Sequence, residues 1–195
     1  MYSGATTETF PVVVPANKGG EMYKWQKYEV SIVRSADTDV SALNITSPSA
    51  AAELFHQYAK ERDQESFWVM ALSQKNQVLG IQQLYQGTVN GSSVRVGEAF
   101  RLAILMNAAA IVVVHNHPSG SVAESDPDVH MTMSLVEAGS VLDIEVLDHL
   151  IVTDTEHLSL RAKFADPDDG GVDPWSVTEE FDHAREIAQE AMAEA

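Results

Sequence analysis

Two histidines one residue apart, His115 and His117, are followed eight and eleven residues after the second by Ser125 and Asp128. Side chains two apart on an extended chain point to the same side, so both imidazoles can meet one ion. Neutral imidazole is a good zinc ligand at about 2.0–2.1 Å, and a catalytic site adds one further protein ligand and a water. Asp128 is the natural third ligand, because a turn and a loop can bring the start of a helix back to a strand end. The chain has no cysteine, so any metal must sit on nitrogen and oxygen, and a disulfide framework, a thiolate zinc knuckle, an iron–sulfur cluster and a cysteine nucleophile are all excluded.

These residues need a scaffold, and the chain around them supplies one. Residues 111–114, Ile-Val-Val-Val, form a β-branched run apolar on both faces, as a buried central strand requires, and the run ends at His115. A helix is expected over 125–139, carrying Ser125 and Asp128, and another over 97–110 before the central strand. Upstream, residues 67–72 and 77–84 are apolar runs separated by Ser73-Gln74-Lys75-Asn76, the pattern of a hairpin. A helix opened by Ser47 and Pro48 is expected over 48–62, and two closing strands over 144–152 and 157–160. The order β, α, β, β, α, β, α, β, β predicts an α/β sandwich on one central mixed sheet covered by helices. Residues 1–20 read as irregular, and 27–34 as the only strand of an N-terminal extension over 1–46.

Charge narrows the partners. Twelve Lys and Arg against 29 Asp and Glu give a net charge of -17, which opposes direct binding to nucleic acid or to an anionic membrane surface. Residues 165–195 hold ten acids and Arg185 alone, so this segment reads as an acidic tail, with a linker over 166–171 and a short helix after Ser176. No apolar run approaches the roughly 20 residues of a membrane helix, and the N-terminus lacks a basic region followed by an apolar one. The expectation is a cytoplasmic protein without membrane contact.

The spacing resembles that of the RadC-like branch of the JAB/MPN (JAMM) zinc metalloprotease family, whose signature is Glu, then His-x-His-Pro, then Ser and Asp at the offsets of Ser125 and Asp128. Gln86-Gly87-Thr88-Val89-Asn90, Asn107-Ala108-Ala109-Ala110 and Val146-Leu147-Asp148-His149-Leu150 resemble further segments of that branch, and the similarity spans about residues 47–164. A cupin would want a Glu shortly after the second His, and residues 118–122 contain none. The helix-hairpin-helix module that often precedes the RadC-like domain has no counterpart in residues 1–46, which weakens transfer of a DNA-repair role.

The resemblance implies a cytidine-deaminase-like three-layer sandwich with Zn2+ held by His115, His117 and Asp128. It also implies hydrolysis of a peptide or isopeptide bond, in a peptide or ubiquitin-like protein substrate. Glu65 would be the general base, preferred over Glu98, whose place at a helix start has a structural explanation; Ser125 would donate to the oxyanion. The alternative is a catalytically silent binding or scaffold module of the same family, associated with DNA repair or a mobile element. His149 is open between orienting a ligand imidazole, with Asp148, and packing the strand. His56, His130, His157 and His183 read as surface or half-buried residues.

Overall fold

A computed structural model of the chain describes residues 7–16, 24–33, 43–60, 64–87, 94–117, 119–166 and 173–176. In chain order the elements are β1 (Thr7–Ala16), β2 (Lys24–Val33), α1 (Pro48–Lys60), β3 (Ser66–Leu72), β4 (Val78–Gln86), α2 (Val96–Ala99), α3 (Arg101–Leu105), β5 (Ala110–Asn116), α4 (Asp126–Leu142), β6 (Glu145–Val152), β7 (His157–Ser159) and α5 (Leu160–Phe164). Two units separate, residues 1–39 and 40–195.

A run apolar on both faces must be covered on both faces, and residues 111–114 are. They lie in β5, the middle strand of a five-stranded sheet ordered β4-β3-β5-β6-β7. β5 runs parallel to β6 and antiparallel to β3, and the outer pairs are antiparallel, so the sheet is mixed as expected. Alternation along the strands sends side chains to two cores. Phe67, Val69, Ile111 and Val113 pack with Phe100 and Leu135 under the helices that follow β4. Trp68, Met70, Val112 and Val114 pack against Ala52 and Phe55 of α1. The result is three layers, helix, sheet and helix. Burying a side chain such as Phe55 or Phe100, each fully inaccessible, contributes about 1.5–3 kcal/mol.

Local signals account for most boundaries. Ser47 Oγ accepts the Ala50 N–H at 3.1 Å and Pro48 opens α1, as the sequence predicts. Asn76 sits at φ 57°, the left-handed conformation that reverses the chain between β3 and β4. At the end of α4, Asp143 takes φ 54° and the Ile144 N–H bonds back to Gly139 O. A Cβ on Gly139 would stand 2.5 Å from Ile144 O, so glycine permits the close return into β6.

Two expectations change. The helix expected over 97–110 is two short helices joined at Phe100, and it stops at Leu105. Asn107 enters the left-handed region at φ 49° and the Ala108 N–H reaches back to Ala103 O, which closes the helix and starts the central strand at Ala110. In the N-terminal unit β1 and β2 form an antiparallel hairpin from the Thr7↔Val33 pair to Ala16↔Lys24, where the sequence suggested irregular chain and one strand. Pro11 and Pro15 obscure β1, yet a two-stranded sheet consists of edges, where proline is tolerated. The short helix α5 was not expected. Of the linker expected over 166–171 only Asp166 is described, its N–H bonded to Lys163 O, and the helix expected after Ser176 lies outside the described residues. No helix among the described residues is long and apolar enough to cross a membrane.

Candidate metal centre

The centre lies where β5 ends. His115 is 1% exposed at the strand's last turn of pleat, and His117 is half-buried just beyond it. Their Nε2 atoms stand 2.9 Å apart. Asp128, at the third position of α4, brings Oδ1 to 3.4 Å from His115 Nε2 and Oδ2 to 3.9 Å from His117 Nε2. These three residues form one group able to hold a metal ion. A tetrahedral zinc with bonds of about 2.0–2.1 Å needs ligand atoms about 3.3 Å apart, and the three separations bracket that value.

Asp128 is placed by the helix start. Its Oδ2 accepts the Ser125 backbone N–H at 2.9 Å and the Ser125 hydroxyl at 2.6 Å, which ties the carboxylate to the N-cap and leaves Oδ1 turned towards His115. Ser125 therefore orients the candidate ligand Asp128 in this arrangement. The loop before it is tied to α5 by an ion pair between Glu124 and Lys163.

The proton positions follow from the partners. His117 Nδ1 lies 2.9 Å from Ser121 O, a carbonyl that can only accept, so Nδ1 carries the proton and Nε2 offers a lone pair. Thr132 Oγ1 donates to Asp128 O at 2.7 Å and has one proton to give, so its 2.6 Å contact with His149 Nδ1 is satisfied only if that nitrogen donates. His149 Nε2 is then an acceptor, and His115 Nδ1, 2.8 Å away, donates to it. His115 Nε2 is left with a lone pair facing that of His117. Burial also pushes the pKa of His115 and of His149 down, favouring neutral rings. Two imidazole lone pairs and a carboxylate oxygen thus converge, a donor set that suits a divalent cation.

Glu65 stands one residue before β3. Glu65 is held at the His115–His117 end of β5, because Phe67 pairs with His115 and the Ser66 N–H bonds to Asn116 Oδ1. Its carboxyl is raised above the ordinary value by burial, lowered by His117 and raised again by the Asp128 charge. Glu98 has another employment. It accepts a hydrogen bond from the Tyr85 hydroxyl and lies 3.9 Å from Arg95, tying α2 to β4. The two candidates expected from the sequence are thus separated by what they touch.

Two contributors had no clear sequence signal. Asn116, buried between the histidines, accepts the Ser66 N–H through Oδ1 at 2.7 Å and donates from Nδ2 to Gln64 O at 3.2 Å, gripping the backbone on both sides of Glu65. Thr132 follows Asp128 by one helical turn, and that spacing was its only trace. His149 meets the imidazole of the candidate ligand His115; Asp148 instead accepts from Ser159 Oγ, the His149 N–H and the Arg161 N–H. His56 contacts Thr153 O and His157 contacts Ser49, His130 is exposed, and His183 lies outside the described residues.

Comparison with known proteins places the domain. Residues 45–165 match the family model described as a RadC-like JAB domain. A UPF0758 protein of Roseiflexus castenholzii is 44% identical over 119 residues, covering 61% of this chain and 51% of its own length. UPF0758 proteins of Desulforudis audaxviator and Chloroflexus aurantiacus are 43% identical over 117 residues and 45% over 119, covering 60% and 61% of this chain and 51% and 52% of theirs. The chain spans about half the length of these relatives. With the mixed sheet, the flanking helices and the match over residues 45–165, the chain belongs to the RadC-like JAB domain family.

Proposed function

We propose that this chain is a zinc-dependent hydrolase of peptide or isopeptide bonds, with His115, His117 and Asp128 as the metal ligands. The observation that carries the reading is the convergence of two imidazole lone pairs and a carboxylate oxygen, both ring protons being committed to other acceptors. A zinc ion held by these three residues would lower the pKa of a bound water towards about 7 and polarise a carbonyl oxygen. Glu65 takes the proton of the attacking water and returns it to the leaving amine nitrogen, a transfer suited to a carboxyl whose pKa is raised by burial. Asn116 holds the backbone on either side of Glu65, so the base is presented by the sheet and not by a loose loop. The exposed Ser125 hydroxyl turns from Asp128 to the substrate and donates to the developing oxyanion, a role worth about 2.7–4 kcal/mol in other hydrolases.

The test is turnover by the zinc-loaded full chain on a panel of fluorogenic peptides and ubiquitin-like fusions, with chelated protein as control. Zinc-dependent cleavage of at least one member is expected. A protein that holds one zinc per chain and cleaves none of the panel would replace the hydrolase with a silent binding module.

A further inference from the structure

Building on the reading that His115, His117 and Asp128 hold a metal ion, we infer that Thr132 and His149 are positioning residues that fix which nitrogen of His115 faces the ion. The three side chains form one buried line from helix α4 through β6 to β5. Thr132 Oγ1 is 2.6 Å from His149 Nδ1, and His149 Nε2 is 2.8 Å from His115 Nδ1. His115 and His149 are at most 1% exposed and Thr132 is 0% exposed, so no bulk water competes for these contacts. Phe67 closes the line on one side, stacked on His115 at 6.3 Å and edge-on to His149 at 5.9 Å.

The direction of every hydrogen bond is set at one end. Asp128 O accepts the Thr132 proton, and α4 holds that carbonyl in place. The threonine oxygen can then only accept from His149, and His149 can only accept from His115. The backbone of Asp128 thereby dictates the tautomer of His115, through a histidine 34 positions further along the chain from His115. If Thr132 offered no oxygen, the His149 Nδ1–H would lack this acceptor in a dry site. Moving that proton to Nε2 would relieve it, but Nε2–H then meets the Nδ1–H of His115. His115 can relax only by carrying its proton on Nε2, where the ion must bind. Metal uptake would then require that proton to move first, and affinity falls.

The experiment is chelator-competition titration of Zn2+ with the full chain, comparing wild type with Thr132→Val, which keeps the shape and removes the hydroxyl, and Thr132→Ser, which restores it. Thr132→Val is expected to bind zinc about 10- to 100-fold more weakly, as partners behind a ligand histidine commonly do, and Thr132→Ser close to wild type. A second readout needs no variant: histidine ring 15N spectra of the zinc-loaded wild type should show the proton of both His115 and His149 on Nδ1. Unchanged affinity in a folded Thr132→Val, or His149 protonated on Nε2 in the wild type, would overturn the relay. Wild-type chain that takes up no zinc would overturn the metal centre beneath it, a distinct result.

Discussion

Asn116 Oδ1 accepts the backbone N–H of Ser66 at 2.7 Å, so the residue between the two candidate ligand histidines fixes the strand that begins just after Glu65. The Asn116 amide also takes Gln64 O at 3.2 Å. One side chain therefore couples the edge of the metal centre to the proposed base. Removing it by Asn116→Ala leaves a buried N–H unsatisfied, which costs about 1–3 kcal/mol. Urea unfolding should show that loss. Zinc content should be unchanged while turnover falls, because the ligands keep their own supports and Glu65 loses its.

Exchange of the two carboxylates separates their roles. Glu65→Gln should keep zinc and lose about 10²–10⁴-fold in kcat, the usual contribution of a general base. Glu98→Gln should lose little activity, since Glu98 is occupied with Tyr85 and Arg95. Steady-state kinetics on any cleaved member of the substrate panel measures both. The opposite order would move the base to Glu98.

Much of this arrangement was legible in the sequence. The run over 111–114 could only be a strand covered on both faces, Ser125 marked the start of α4, and the spacing from His117 to Asp128 pointed to a shared ion. Those signals are local, and local signals survive folding. What was hidden depends on contacts distant in sequence. Thr132 and Asn116 acquire their roles from partners 17 and 50 residues away. The early end of the helix at Leu105 turned on a left-handed Asn107, which a polar residue inside an apolar periodicity signals only weakly. β1 was obscured by its prolines, whose tolerance there depends on the pairing partner.

Asp148 gives a pH-dependent test. Burial raises its carboxyl above the ordinary value, against the lowering effect of Ser159 Oγ, the Arg161 and His149 N–H groups and the Arg161 charge. With the folded pKa above the unfolded one, the folded state takes up the proton first as pH falls. The resulting stabilisation is complete below the unfolded value of about 3.9 and is lost as pH rises through the raised folded value. The stability of wild type relative to Asp148→Asn should therefore increase when urea unfolding is moved from neutral to mildly acidic pH. A relative stability that decreases on acidification would contradict the assignment.

Trp175 links the acidic C-terminal segment to the core. It is 9% exposed, donates from Nε1 to Val146 O at 2.7 Å and lies under the Arg161 guanidinium at 5.6 Å from the ring centre. Trp175→Ala should lower stability by about 3–5 kcal/mol, the usual cost of deleting a buried tryptophan, and thermal unfolding measures it. A truncation meant to test the acidic tail should accordingly begin after Ser176, because a cut at 166 removes this anchor too.

In the proposed centre His115, His117 and Asp128 hold one metal ion on a fold that does not need it. Calorimetric titration of Zn2+ into the metal-free full chain measures this, with circular dichroism establishing that the metal-free protein is folded, as its two apolar cores require. One zinc per chain is expected for wild type and none for Asp128→Ala or His117→Ala. Equal zinc uptake by wild type and both variants, or no uptake by folded wild type, would contradict it.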